Sequence, residues 1–280
     1  MTHSIEALAE VASSYDVIVL DQWGVLHDGN RAYEGTIESL TTLASEGHRL
    51  AVLSNSGKSS RENLNRIIQM GFPPELFETV MTSGEALWQD INRGKVSHRD
   101  FFPIERRLGD ALYWAKGLNI TINTQFSFAQ AILLMGLPDG SILSDWQSIL
   151  HDALQKKLTV YCSNPDMASP RGEETVISPG VLSYYYQDQG GKVVNYGKPY
   201  HPIFLSMQNA LDVKPNRLLM VGDSLDHDIK GAHDAGWDSL FVIGGLNKKY
   251  FADGDHQLVL STMAKEQNLP MPTYMIQAIK

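Results

Sequence analysis

The chain has 280 residues, 43% of them hydrophobic and 20% charged, with a formal net charge of −9. That length can bury one large or two modest cores without crosslinks. The acidic balance leaves no basic surplus to neutralise phosphates, which argues against a nucleic-acid or anionic-membrane partner. A single cysteine, Cys162, excludes an intrachain disulfide, and its apolar surroundings predict a buried, inert thiol. The N-terminus lacks the basic and apolar regions of a signal peptide, and no apolar run is long enough to span a bilayer. A cytoplasmic protein is the expectation. The nine histidines show neither HExxH spacing nor pairing with cysteine, so a zinc site has no support.

In chain order, Val17 to Leu20 is the first short, continuous apolar run, followed by Leu50 to Leu53, Leu218 to Val221 and Leu240 to Ile243. Runs without period-two alternation predict strands buried on both faces, as in a parallel sheet. Helical patterns lie between them. Thr36 to Ser45 is stopped by Gly47. Ser59 or Ser60 caps a helix through Ile67 to Met70 that Gly71 closes. Pro202 fits the first turn of a helix through Phe204, Met207 and Leu211, and Asp226 caps one ending near Gly236. The alternation predicts an α/β fold, a doubly wound parallel sheet.

The middle of the chain reads as a second, smaller α/β unit inserted into the first, with pieces at Ala131 to Met135, Asp145 to Lys156 and Leu158 to Tyr161. The expected core is 1–84 with 188–280, and the expected insert is 85–187. The Tyr184-Tyr-Tyr run is expected to pack a helix.

The residues at the ends of the apolar runs carry the chemistry. Val17-Ile-Val-Leu ends at Asp21, Leu50-Ala-Val-Leu at Ser54-Asn55-Ser56, and Leu218-Leu-Met-Val at Gly222-Asp223-Ser224. A strand-like Lys192-Val-Val-Asn-Tyr leads into Gly197-Lys198-Pro199. Ligands of an open parallel sheet bind beyond the carboxyl ends of its strands, so these segments are expected around one crevice. Asp21 and Asp223 supply hard oxygen ligands suited to Mg²⁺. Ser54, with the backbone N–H groups of Asn55 and Ser56, can cradle phosphate oxygens. Lys198 can neutralise charge on a transferring group, and a carboxylate such as Asp21 is a known phosphoryl nucleophile. Singly each is weak, because an aspartate at a strand end is often a cap and a lysine usually a solvated charge. Their order after the apolar segments makes coincidence a poor account.

Nearly the whole chain resembles the haloacid dehalogenase superfamily, in its branch of sugar-phosphate and pyridoxal-phosphate phosphatases with a large inserted cap. Asp21-Gln-Trp-Gly-Val-Leu resembles the first motif, Leu53-Ser-Asn-Ser the second and Gly197-Lys-Pro the third. Gly222-Asp-Ser-Leu-Asp-His-Asp resembles the fourth and is the most specific, and Ser163-Asn164-Pro165-Asp166 is similar to a cap element. The resemblance implies a Rossmann-like core with a cap domain and hydrolysis of a small phosphorylated metabolite. It implies Asp21 as nucleophile, Ser54 and Lys198 as stabilisers of phosphate and intermediate, and Mg²⁺ held by Asp21, the backbone carbonyl of Trp23, and Asp223. Asp228 would support the fold or stand behind the metal ligands, the former favoured. Asn164, Asp166 and Arg171 are candidate cap contacts, with a solvated loop charge the default for Arg171. A cap-mediated homodimer, as formed by relatives, is compatible with it.

The pattern breaks at Trp23, where such phosphatases carry a second aspartate as general acid and base. Losing that group typically costs about 10²–10⁴-fold in rate. Three readings are open, in order of preference: a phosphohydrolase with another proton carrier, a phosphometabolite-binding protein with weak or no catalysis, and a 2-haloacid dehalogenase. His27 and Asp28 are near in sequence, but Asp28-Gly29-Asn30 reads as a tight turn. Asp166 is an alternative proton carrier.

Overall fold

The computed structural model describes residues 2–171, 174–252 and 254–280. They fall into two compact units. The first comprises Met1–Ser54, Arg61–Met81 and Ile203–Lys280, and the second Asn55–Ser60 with Thr82–Pro202.

The first unit is built on a seven-stranded sheet. Its strands run in the order His3–Ser4, Tyr274–Ile276, Asp238–Val242, Leu218–Gly222, Val17–Leu20, Arg49–Ser54 and Thr79–Thr82. Val17–Leu20 is parallel to both of its neighbours, with Leu20 in register with Val221 on one side and Val52 on the other. From this strand the chain winds outward to Arg49–Ser54 and Thr79–Thr82, then resumes on the opposite side at Leu218–Gly222 and winds outward again. The order therefore reverses between Val17–Leu20 and Leu218–Gly222, the place where open α/β sheets bind ligands. Both faces of the sheet are covered. Leu240 and Val242 pack with Ile18, Leu50 and Leu219 on one side, while Phe241 and Ile243 pack with Leu225, Ile229 and Leu260 on the other. That two-sided burial is why these strands read as continuous apolar runs.

The helices start and stop where their residues allow. Thr36–Ser45 ends before Gly47, which adopts φ +93°, and Ser60–Gln69 ends before Gly71, at φ +101°. Pro202 lies in the first turn of His201–Leu211. The expected cap at Asp226 is replaced by Ser224. Its hydroxyl accepts the His227 N–H, and the chain makes a π-helical turn, Leu225–Ile229, before the helix Lys230–Ala235 and its stop at Gly236.

The second unit holds a five-stranded parallel sheet, in the order Lys192–Asn195, Thr159–Cys162, Ala131–Leu134, Asp100–Ile104 and Thr121–Ile122. An antiparallel pair, Ala168–Arg171 with Glu174–Ile177, accompanies it. This second unit runs on to Pro202. Lys192–Asn195 pairs with Thr159–Cys162 and so belongs to this sheet, not to the core sheet that its place before Gly197-Lys198-Pro199 suggested. Of the tyrosine run, Tyr186 is fully buried and donates its hydroxyl proton to the Leu158 carbonyl, while Tyr184 is exposed. Cys162 is buried, and burial pushes its thiol up to about 12, which leaves it an inert core residue.

Candidate active site

Three acidic side chains converge at the reversal point of the first unit. One carboxylate oxygen from each of Asp21, Asp223 and Asp228 lies within 4.8 Å of the other two. Asp21 follows the strand Val17–Leu20, Asp223 follows Leu218–Gly222, and Asp228 sits in the π-helical turn Leu225–Ile229. The two strands are adjacent and in register, so they deliver their next residues to the same edge, and the Asp21 N–H donates to the Val221 carbonyl at 2.9 Å. Ser54, 9% exposed, ends the strand on the other side of Val17–Leu20.

Three carboxylates at this separation gather acceptor oxygens and negative charge that a cation can share. Carboxylate oxygens are the donors that hard divalent cations such as Mg²⁺ and Ca²⁺ take. The residues present therefore fit a divalent metal. Asp223 and Asp228 are each 1% exposed, whereas Asp21 is half-buried and is the member most open to a further ligand.

Asp223 is held from several directions. Its Oδ2 accepts the Leu246 N–H at 2.6 Å, and its carbonyl accepts the Asn247 Nδ2–H at 2.9 Å. Gly24 and Gly245 press against its carboxylate so closely that a Cβ would fall 1.9 Å and 2.3 Å from Oδ2. Asp228 Oδ2 accepts the Ser224 N–H at 3.2 Å, and a Cβ on Gly222 would lie 2.2 Å from the Asp228 Cβ. Asp228, expected either behind the metal ligands or, with preference, in support of the fold, lies in the acidic cluster; the Gly245–Asn247 bracket was not expected. A signal for that bracket is present in the sequence. Gly244-Gly245 follows the apolar run Leu240 to Ile243 as Asp21 follows its own.

The turn after Asp21 is stiff. The Gln22 carbonyl accepts the N–H groups of Leu26 and His27 at 2.8 and 3.1 Å, and the Gln22 amide donates to Asn63 Oδ1. Trp23 lies over Gly29, where a Cβ would meet the indole at 2.0 Å, and its ring meets His27 edge-on at a 5.8 Å centroid distance. Nδ1 of His27 accepts the Gly29 N–H at 3.0 Å. Among the described residues, neither Trp23 Nε1 nor His27 Nε2 has a hydrogen-bond partner. Burial, aided by the charge of Arg66, pushes the His27 imidazole down to about 4, so it is neutral at pH 7. Asp28 Oδ1 accepts the Arg31 and Asn30 N–H groups, which hold its carboxyl below the usual range and define the tight turn expected there.

The second unit gathers most of the other candidates around Asn55. Its Nδ2 donates to Asp166 Oδ1 at 2.7 Å and to the Lys198 carbonyl at 3.1 Å, and its Oδ1 accepts the Lys198 N–H. Asn55 thus ties the Ser54-Asn55-Ser56 loop to the Gly197-Lys198-Pro199 segment, a role for its side chain that the sequence did not announce. Lys198 is 2% exposed. Asn164 spends its side-chain oxygen on the Asp166 N–H at 3.1 Å, and the Ser56 carbonyl accepts the Gly84 N–H at 3.0 Å. The side chain of Arg171 lies outside the described residues.

The haloacid dehalogenase-like hydrolase family matches residues 18–105, and a HAD-hydrolase-like family matches residues 195–262. These spans carry Asp21, Ser54, Lys198 and Asp223. The chain belongs to the haloacid dehalogenase-like hydrolases. It is similar to chronophin of Rattus norvegicus, 24% identical over 265 residues that cover 90% of this chain and 86% of that protein. It is also similar to glycerol-3-phosphate phosphatase of Gallus gallus, 24% identical over 280 residues, covering 86% and 84%. A solved haloacid dehalogenase-like hydrolase from Brucella suis 1330 matches it with a TM-score of 0.83 and 25% identity, over 99% of this chain and 100% of that one. Among the described residues of this hydrolase, no helix is long and apolar enough to cross a membrane.

Proposed function

We propose that this hydrolase is a Mg²⁺-dependent phosphatase of a small phosphorylated metabolite, with Asp21 as its nucleophile. The observation that carries the reading is the placement of Asp21 at the reversal point of the sheet, in a cluster with Asp223 and Asp228. The similarity to a glycerol-3-phosphate phosphatase favours the same reaction class.

The Asp21 carboxylate attacks phosphorus in line, the bond to the leaving oxygen breaks, and water then cleaves the aspartyl-phosphate. Asp21, the Trp23 carbonyl and Asp223 would hold the metal, with Asp228 behind them. When bound, that cation supplies positive charge that lowers repulsion between the carboxylate and the phosphate. Ser54 Oγ and the N–H groups of Asn55 and Ser56 contribute donors to phosphate oxygens, and the buried Lys198 ammonium contributes charge neutralisation. Asn164 and Asp166 are proposed substrate contacts. Support for Asp166 comes from its hydrogen bond to Asn55, which joins it to the phosphate loop.

The second reading is a phosphometabolite-binding protein with little turnover, and Trp23, which has no acid–base chemistry at neutral pH, favours it. The carboxylate cluster weighs against a dehalogenase, whose chemistry needs no metal. The deciding experiment measures phosphate release from a phosphometabolite panel and halide release from 2-haloacids, each with Mg²⁺ or EDTA. Phosphate release lost both with EDTA and in Asp21→Asn supports the phosphatase. Halide release indifferent to EDTA overturns it. Silence on both panels, with Mg²⁺-dependent thermal stabilisation by a phosphorylated compound, selects the binding protein.

A further inference from the structure

We propose that the site is selective for phosphoryl donors whose leaving group departs as a weakly basic anion, an acyl phosphate or a phosphoanhydride, over alkyl phosphate esters. This rests on the phosphatase reading and adds the substrate class.

The inference comes from what surrounds Asp21 in its own unit. An alkoxide is about as basic as hydroxide, whose parent water has a pKa of about 16, whereas a carboxylate leaves from an acid near 4 and a phenolate from one near 10. Expelling an alkoxide therefore needs a proton delivered in the transition state; expelling a carboxylate or a phosphate does not. The side-chain N–H groups of the turn after Asp21, at Trp23 Nε1 and His27 Nε2, are buried and meet no acceptor among the described residues, so neither is aimed at a leaving group. Trp23 presents an indole, clamped over Gly29. His27 is 1% exposed, and its Nδ1 already accepts the Gly29 N–H. Asp28 spends its Oδ1 on the two N–H groups of its own turn. Tyr33 is a half-buried phenol, and burial raises its hydroxyl above the ordinary value, which makes it a reluctant donor. Asp166, in the second unit, has its Oδ1 engaged by the Asn55 amide.

The chemistry balances without an acid. The bond from an Asp21 Oδ to phosphorus forms as the bond from phosphorus to the leaving oxygen breaks, and the electron pair leaves with a carboxylate or phosphate. Water then attacks phosphorus of the aspartyl-phosphate, releasing Asp21 and inorganic phosphate, with the proton passing to phosphate or solvent. That second step is then the slower of the two, and the phosphoenzyme persists.

The test uses the full chain with Mg²⁺ and three donors: acetyl phosphate, phenyl phosphate and glycerol phosphate, with Asp21→Asn as the control for spontaneous hydrolysis. The expected result is a fall in kcat/KM of at least about a hundredfold from the first donor to the last. Intact-mass analysis after acetyl phosphate should show one phosphoryl adduct that Asp21→Asn lacks. In Trp23→Asp the acyl-to-alkyl ratio should shrink by about 10²-fold or more; the wild-type series stands if that variant does not fold. Equal rates on all three donors overturn the inference and leave the phosphatase intact. So does a shallow series that becomes steep in Asp166→Asn or Tyr33→Phe, because that residue is then the acid. No phosphate release and no adduct with any donor overturns the phosphatase reading itself.

Discussion

Gly24 and Asp223 are packed so tightly that a Cβ on residue 24 would sit 1.9 Å from the Asp223 Oδ2. The contact joins the turn after the nucleophile candidate to the end of the strand that brings the second carboxylate. Gly24 also adopts φ +86°, where an L-residue is strained. Gly24→Ala must therefore move Asp223 or the turn, costing about 1–3 kcal/mol in backbone strain before the clash is counted. The expected outcome is a lower Tm together with loss of Mg²⁺-induced stabilisation. An Ala variant at Gly47, at a similar φ of +93° but with nothing near its Cβ position, should lose stability alone.

Removal of the metal should be visible without any substrate. A cation that binds only the folded state stabilises it by about 2.7 kcal/mol at a hundredfold excess over its Kd. Wild type should show a Tm that rises with Mg²⁺ and returns with EDTA. Asp223→Asn should abolish the rise, because an amide cannot replace the buried carboxylate as a charged ligand. A variant that keeps the full Mg²⁺ response would remove Asp223 from the metal site.

His27 predicts a stability change at mildly acid pH. Its folded-state value, about 4, lies below the ordinary 6.5, because burial and Arg66 disfavour the imidazolium. The unfolded chain therefore binds the proton more readily. The stability contributed is complete above about 6.5 and is lost as pH falls from there toward about 4. The shift corresponds to about 3 kcal/mol at most. Urea unfolding at pH 7.5 and 5, both in EDTA, should show a smaller pH loss for His27→Asn, whose amide oxygen can still accept the Gly29 N–H. Equal losses in the two proteins would show that His27 is not the group that titrates.

The elements the sequence revealed share a cause. Val17–Leu20 and Leu218–Gly222 are buried on both faces, so each is written as an unbroken apolar run with its candidate aspartate immediately after. What was hidden depends on pairing. Lys192–Asn195 is apolar enough for either sheet, and only its hydrogen bonds to Thr159–Cys162 decide which one it joins. The Gly245–Asn247 bracket on Asp223 and the clamp of Trp23 on Gly29 are close approaches of backbone to side chain. A glycine in sequence says that some such approach exists, without saying to what.

Asn55 gives the prediction that separates a bracket from a phosphate ligand. Its side chain makes three hydrogen bonds, to the Asp166 carboxylate and to the N–H and carbonyl of Lys198. Asn55→Ala leaves all three of those groups short of a partner, at about 1–3 kcal/mol for each buried one left unsatisfied. It also removes nothing from the backbone N–H of residue 55, the atom assigned to phosphate. The expected outcome is a Tm lowered by several degrees and a fall in kcat, because Lys198 is no longer fixed. Ser56→Ala, whose hydroxyl accepts only the Lys58 N–H at 3.3 Å among the described contacts, should be near neutral in Tm. Thermal unfolding and steady-state kinetics of the two variants side by side check this. If Asn55→Ala melts like wild type, the bracket contributes nothing to holding the lysine.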